Sequence, residues 1–180
     1  MNRFVKIHGL GNEYIVLDSE SINFEVTEEV IRNLCNVHYG IGSDGILLKI
    51  PSNKADFGLK IYNPDGSEAE KSGNGLRIFS KYIFDYQYTD KHDFSIETKG
   101  GIVKASIIEM HNNRAKTVKV DMGKAIFNCK DIPVNLERDI CMDHRYVIDG
   151  KEFILNCVSV GNPHCVVIKE NLDADEIKKY

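Results

Sequence analysis

The sequence predicts an α+β fold built mainly from antiparallel strands. Most apolar residues fall in short runs or alternate with polar ones, as strand residues do, and only two or three segments show helical spacing. Turn residues separate the strand-like runs at close intervals, and Gly100-Gly101 between two of them marks a hairpin. Many strands interrupted by a few helices define the α+β class.

The elements follow in order. Phe4 to Ile7 reads as a strand, then the turn His8-Gly-Leu-Gly-Asn12, then a second apolar run, Tyr14 to Leu17. Thr27 to Cys35 has the marks of a capped helix: a Thr N-cap, acids in the first turn, and Val30, Ile31, Leu34 and Cys35 on one side. Gly40 stops it. Ile46 to Ile50 is strand-like, and Phe57, Leu59 and Ile61 alternate with Gly58, Lys60 and Tyr62 in the period of a half-buried strand. Asn63-Pro-Asp-Gly66 is a turn, with Pro presetting one φ and Gly tolerating a positive one. After Ser72-Gly-Asn-Gly75, the residues Leu76, Phe79, Ile83 and Tyr86 mark one face of a helix. Phe94 to Thr98 and Ile102 to Ile108 form the hairpin. Asn112-Asn113 turns the chain into Val118, Val120 and Met122, and Lys151 to Val160 and Val166 to Ile168 are the last strands. A change in composition near Arg114 to Thr117 places a domain boundary there.

Composition excludes several classes. The 180 residues carry 23 basic and 27 acidic side chains, a formal net charge of −4, with no cluster of Lys and Arg. That argues against nucleic acid or an anionic membrane as a partner, since affinity for phosphate comes largely from clustered cations. The first residues lack the apolar core of a signal peptide, and no apolar run approaches the roughly 20 residues of a membrane helix. Five widely spaced cysteines without C-x-x-C, and six histidines without H-x-x-x-H, suggest neither a disulfide framework nor a metal site. The expectation is a cytoplasmic protein with no metal.

Gly40-Ile-Gly-Ser-Asp-Gly45 matches G-x-G-x-x-G, but a helix precedes it and a strand follows. A dinucleotide site needs the reverse order, so the segment reads as a flexible turn. Ser72-Gly-Asn-Gly75 is more informative. Small residues ahead of an amphipathic helix leave first-turn N–H groups open, and these donors with the helix dipole favour an anion such as a carboxylate. A side chain at position 72 would face what the anion carries, or Ser72 simply caps the helix. Gly161-Asn-Pro-His164 offers a second turn with polar side chains. His164 and Cys165 are adjacent on a strand and point to opposite faces, so they do not pair as nucleophile and base. Cys165 reads as a buried strand residue like Cys157, His8 as a turn or core residue, and Glu68 and Glu70 as part of a solvated loop.

Four motifs taken together resemble diaminopimelate epimerase: His8-Gly-Leu-Gly-Asn12, Gly40-Ile-Gly-Ser-Asp-Gly45, Ile61-Tyr-Asn-Pro-Asp-Gly-Ser-Glu68 running into Gly73-Asn-Gly75, and Gly161-Asn-Pro-His-Cys-Val166. The resemblance runs from Phe4 to about Val167. It implies a mixed, mainly antiparallel sheet or barrel wrapped around a central helix, in two pseudo-symmetric domains. Residues 1–116 would be the first and residues 117–180 the incomplete start of the second. It further implies cofactor-independent interconversion of LL- and meso-2,6-diaminopimelate, one thiolate removing the α-proton while a second thiol delivers a proton to the opposite face. Substrate-binding positions carry over to Asn12, Asn63, Gly73, Asn74 and Asn162, with His164 in support. The expected partner is an amino-acid substrate, with a homodimer as the assembly.

Two departures accompany the resemblance. Ser72 stands where the family has its first catalytic cysteine, and the second cysteine belongs to a segment beyond Tyr180. The expectation is therefore an epimerase-family chain that is inactive as it stands. The alternatives are a one-base relative that eliminates or dehydrates a β-substituted amino acid, and a non-catalytic amino-acid-binding protein.

Overall fold

The computed structural model describes residues 2–171 and 173–179, and the chain divides into two compact units, Met1–Gly123 and Lys124–Tyr180. The first unit holds β1 (Val5–Gly9), β2 (Asn12–Asp18), α1 (Glu28–Cys35), β3 (Ile46–Ile50), β4 (Phe57–Tyr62), β5 (Glu68–Ala69), α2 (Gly73–Asp85), β6 (Asp93–Thr98), β7 (Gly101–His111) and β8 (Arg114–Val120). Its strands form one sheet in the order β1-β2-β3-β4-β6-β7-β8, with β5 beside β4. Two neighbouring pairs, β2 with β3 and β4 with β6, are parallel, and the others are antiparallel.

Side-chain alternation gives this sheet two buried faces. On one, Tyr14, Val16, Leu47, Leu59, Ile61, Ile96 and Val103 pack with Leu76, Phe79 and Ile83 of α2. On the other, Ile15, Leu17, Ile46 and Leu48 meet Ile31 and Cys35 of α1. Successive residues of β2 thus serve opposite cores, as the two-residue period of a strand requires. Helix α2 touches β1 and β2 at one end of the strand order and β7 and β8 at the other. The sheet therefore curls around α2 as a half-barrel, the wrapping expected of a central helix. At the helix's far end, Lys81 pairs with Asp85 at 2.7 Å and donates to the Ala115 carbonyl. The Asp85 carboxylate accepts the Ala115 N–H at 2.7 Å.

The boundary expected at 116/117 falls inside β8, whose register with β7 extends from His111↔Arg114 to Ala105↔Val120. That ladder ties residues 117–120 to the first unit, so the units divide at Gly123/Lys124 instead. The second unit holds β9 (His144–Ile148), β10 (Lys151–Ser159), β11 (Pro163–Val167) and a short α3 (Ala174–Lys179). The three strands form an antiparallel sheet with β10 in the middle, over a small core of Cys129, Ile132, Cys141 and Cys157. Among the described residues, no helix is long and apolar enough to cross a membrane.

Candidate functional site

In the first unit, the start of β2, the loop before β3, the end of β4 and the start of α2 converge. Ser72 sits at the N-cap of α2 in extended backbone (φ −141°, ψ 116°). Its Oγ accepts the Gly75 N–H at 3.0 Å and its carbonyl accepts the Leu76 N–H at 2.8 Å. The capping role weighed from the sequence is therefore present. It also narrows the expected donor set, because the Gly75 amide is already engaged. The N–H groups of Gly73 and Asn74 carry no hydrogen bond to any described residue, as the first groups of a helix do unless something outside it accepts them.

Electrostatics favour an anion at this position. Helix α2 is 13 residues long and has no acidic residue in its first turn, so no side chain of that turn offsets the positive end of its dipole. Arg77 adds a cation: its guanidinium donates to the Asn74 side-chain oxygen and passes 3.8 Å from where a Cβ on Gly73 would stand.

The predicted side chains Asn12 and Asn63 are held by their own local bonds. Asn12 donates to the Asp44 carboxylate at 3.0 Å, and the same oxygen accepts the Glu13 N–H at 2.8 Å. Asn63 is exposed and donates to the Ser67 hydroxyl at 2.9 Å, while its backbone N–H meets the Ser67 carbonyl at 2.8 Å. Within that turn, hydrogen bonds from the Ser67 hydroxyl and amide hold the Asp65 carboxyl below its ordinary value. Gly66 has φ +92°, and a Cβ there would stand 2.8 Å from Cβ of Glu28, so the turn packs directly on α1.

Three residues that the sequence did not single out complete the arrangement. Tyr14 is buried on β2 with its hydroxyl 3.3 Å from Ser72 Oγ. Asp44 clamps Asn12, and Arg77 flanks the α2 terminus. Tyr14 and Arg77 had readable signals, one a polar-tipped aromatic at an inward strand position, the other a cation one helical turn after Gly73.

Asn162 and His164 belong to the second unit. Asn162 is half-buried in the β10–β11 turn, where its carbonyl accepts the Val160 N–H at 3.2 Å. His164 is exposed on β11 opposite Val158. Cys165 corrects an expectation: it lies on a strand but is exposed, because among the described residues β11 pairs with β10 alone and all five of its residues are exposed. Its cross-strand partner Cys157 is buried, and that burial, aided by the Cys141 and Cys165 thiols, pushes its own thiol up to about 12. A thiol so reluctant to ionise is no nucleophile at neutral pH. His8 is likewise neither turn nor core but an exposed residue of β1, and Glu68 is half-buried on β5 rather than in a solvated loop.

A family model for diaminopimelate epimerase matches residues 4–128. Diaminopimelate epimerase 2 of Nostoc sp. is 44% identical over 179 residues, covering 99% of this chain and 61% of its own length. The diaminopimelate epimerase of Acetivibrio thermocellus is 44% identical over 177 residues, covering 98% of this chain and 63% of its own. The chain thus spans under two thirds of the length of these curated relatives. Among solved structures, a probable proline racemase from Agrobacterium radiobacter superposes with a TM-score of 0.70 at 16% identity, over 93% of this chain and 52% of that one. A hydroxyproline epimerase from Agrobacterium vitis gives 0.68 at 14%, over 91% and 50%. At such identities the structural likeness is one of fold. The matched family model and the two relatives at 44% identity carry the assignment: this chain belongs to the diaminopimelate epimerase family of amino-acid epimerases.

Proposed function

We propose that the first unit binds the α-carboxylate of an amino acid at the Gly73 and Asn74 N–H groups. In this reading the chain is part of a diaminopimelate epimerase, which interconverts the LL and meso forms by cofactor-independent proton transfer at the α-carbon. One observation carries it: two unengaged amides at the start of a 13-residue helix with no acid in its first turn. Holding the carboxylate there places positive potential beside the carbon that becomes carbanionic, which is where a proton-abstracting site needs it. Within the first unit, Asn12 and Asn63 would supply side-chain contacts, and the second unit, which carries Asn162 and His164, would be the opening of a second, related domain.

Position 72 sets the limit on turnover. A thiol begins near pKa 8.5 and falls to roughly 3.5–7.5 at a helix N-terminus. An alcohol begins nearer the roughly 15.7 of water. That gap of about 7 units is worth about 10 kcal/mol, whereas a first-turn dipole supplies only about 0.3–2 kcal/mol. Ser72 therefore serves binding and not proton abstraction.

Amide NMR with meso-diaminopimelate tests both parts. The Gly73 and Asn74 resonances are expected to move most on titration, with no α-hydrogen exchange when the mixture stands in deuterated water. Absence of shifts at those two amides up to millimolar ligand overturns the carboxylate site. Rapid exchange by this chain overturns the passive role of Ser72.

A further inference from the structure

The segment from Gly40 to Gly45 is bonded along its length. The Ile41 and Gly42 amides donate to the Leu34 carbonyl, Ser43 N–H to Cys35, and Asp44 N–H to Glu13. The Ser43 hydroxyl donates to the carbonyls of Glu13 and Gly45, at 3.0 and 2.7 Å. It is therefore a rigid seat, not the flexible turn expected, and what it seats is the start of β2. A Cβ on Gly45 would stand 2.8 Å from Cε1 of the Tyr14 ring and 2.4 Å from the Tyr62 carbonyl, so only glycine lets the ring lie where it does.

We infer that Tyr14 is a positioning residue for the atom at the tip of side chain 72, donating its phenolic proton to that atom from a seat formed by residues 40–45. The inference rests on the α2 N-terminus being the ligand site. The direction of the bond comes from chemistry. A phenol, with pKa near 10, is a far stronger acid than an alcohol and hence the better donor. Tyr14 is buried, a buried tyrosine hydroxyl normally finds a partner, and Ser72 Oγ is the one polar contact it makes among the described residues. Ser72 Oγ then accepts from both Gly75 and Tyr14, and both of its lone pairs are engaged. Its own proton is left to donate to a ligand at the helix terminus. The same two donors would favour the anionic form of a more acidic atom at that position.

The charged groups of the surrounding elements are Arg77, which donates to Asn74, Asp44, which accepts from Asn12 and the Glu13 amide, and Lys71, the residue before Ser72; all three are the same with and without the Tyr14 hydroxyl. The Tyr14 hydroxyl is thus the removable influence. A Ser72→Cys exchange provides the reporter, because a thiol titrates in an accessible range and its alkylation tracks the thiolate. Iodoacetamide alkylation is measured against pH, read by mass spectrometry at the peptide containing residue 72, with and without Tyr14→Phe. The phenylalanine is expected to raise the midpoint by about 1–2 pH units, the equivalent of losing a hydrogen bond to a charged atom. Equal midpoints in two folded variants overturn the inference. Should Tyr14→Phe fail to fold, Gly45→Ala, whose methyl group displaces the Tyr14 ring while keeping its hydroxyl, takes its place: in the Ser72→Cys background it is expected to raise the midpoint, and an unchanged midpoint in the folded variant overturns the inference. No substrate enters the assay, so its outcome stands apart from whether the chain binds diaminopimelate.

Discussion

Lys49 shows what a single residue demands of its surroundings. Its side chain is 8% exposed, with Nζ 3.2 Å from Asp18 and 2.7 Å from Glu20. The Tyr88 hydroxyl donates to Asp18 at 2.7 Å, and the Lys49 amine lies 4.8 Å from the Tyr88 ring centre. Burial acts to raise the Asp18 carboxyl, but bonds from Tyr88, the Glu20 amide and Lys49 outweigh it and leave the group below its ordinary value. For Lys49, burial acts to lower the amine, and the Glu20 and Asp18 carboxylates more than reverse it. Asp18→Asn strands a buried cation with one exposed partner, so stability at pH 7 is expected to fall by about 3 kcal/mol. A carboxylate with a depressed folded pKa contributes its stability above the unfolded value near 4 and loses it as pH falls through the folded one. The gap between variant and parent, read from urea unfolding, should therefore shrink from pH 7 to pH 3. A gap that persists at pH 3 would show that the carboxylate's charge is not its source. The sequence revealed none of this, because a lysine inside the apolar run Ile46 to Ile50 shows a need for partners without naming them.

At the scale of elements, legibility tracked burial. Thr27 caps α1 as expected, its hydroxyl accepting the Val30 N–H, and both helices with buried faces were readable from periodicity. The turns at Asn112-Asn113 and Asp149-Gly150 have the positive φ values their residues suggest. What escaped was short or unburied: β5 has two residues, β9 is almost wholly exposed, and α3 buries nothing, so none carries an apolar rhythm. The fit of the Gly40–Gly45 loop against β2 and β4 depends on contacts far away in sequence, which its glycine pattern does not encode. Gly45→Ala tests that fit. The added methyl group meets backbone and a buried ring, and overpacking of this kind costs about 1–3 kcal/mol. The urea midpoint should drop accordingly, and an unchanged midpoint would mean that the loop gives way easily.

Over the whole molecule, the two principal cores lie entirely within the first unit, and the ladder from β7 to β8 closes it. Residues 1–123 expressed alone are therefore expected to unfold cooperatively on heating, as monitored by far-UV circular dichroism, whereas a gradual, non-cooperative melt would show that the unit depends on residues 124–180. The fold class and the helix after Ser72 were legible because both rest on periodicity, whereas the wrapping of the sheet around that helix was an implication of the family resemblance. The division at 123/124 was not legible, since it depends on which strand claims residues 117–120, and pairing partners leave no mark in composition. The clamp of Lys81 and Asp85 on Ala115 carries a consequence for the opposite end of the helix. Thirteen residues make a rod about 20 Å long, anchored at its tail and sheathed along its sides. A ligand arriving at its head meets amides whose direction is already fixed, so the ordering cost falls on the visitor.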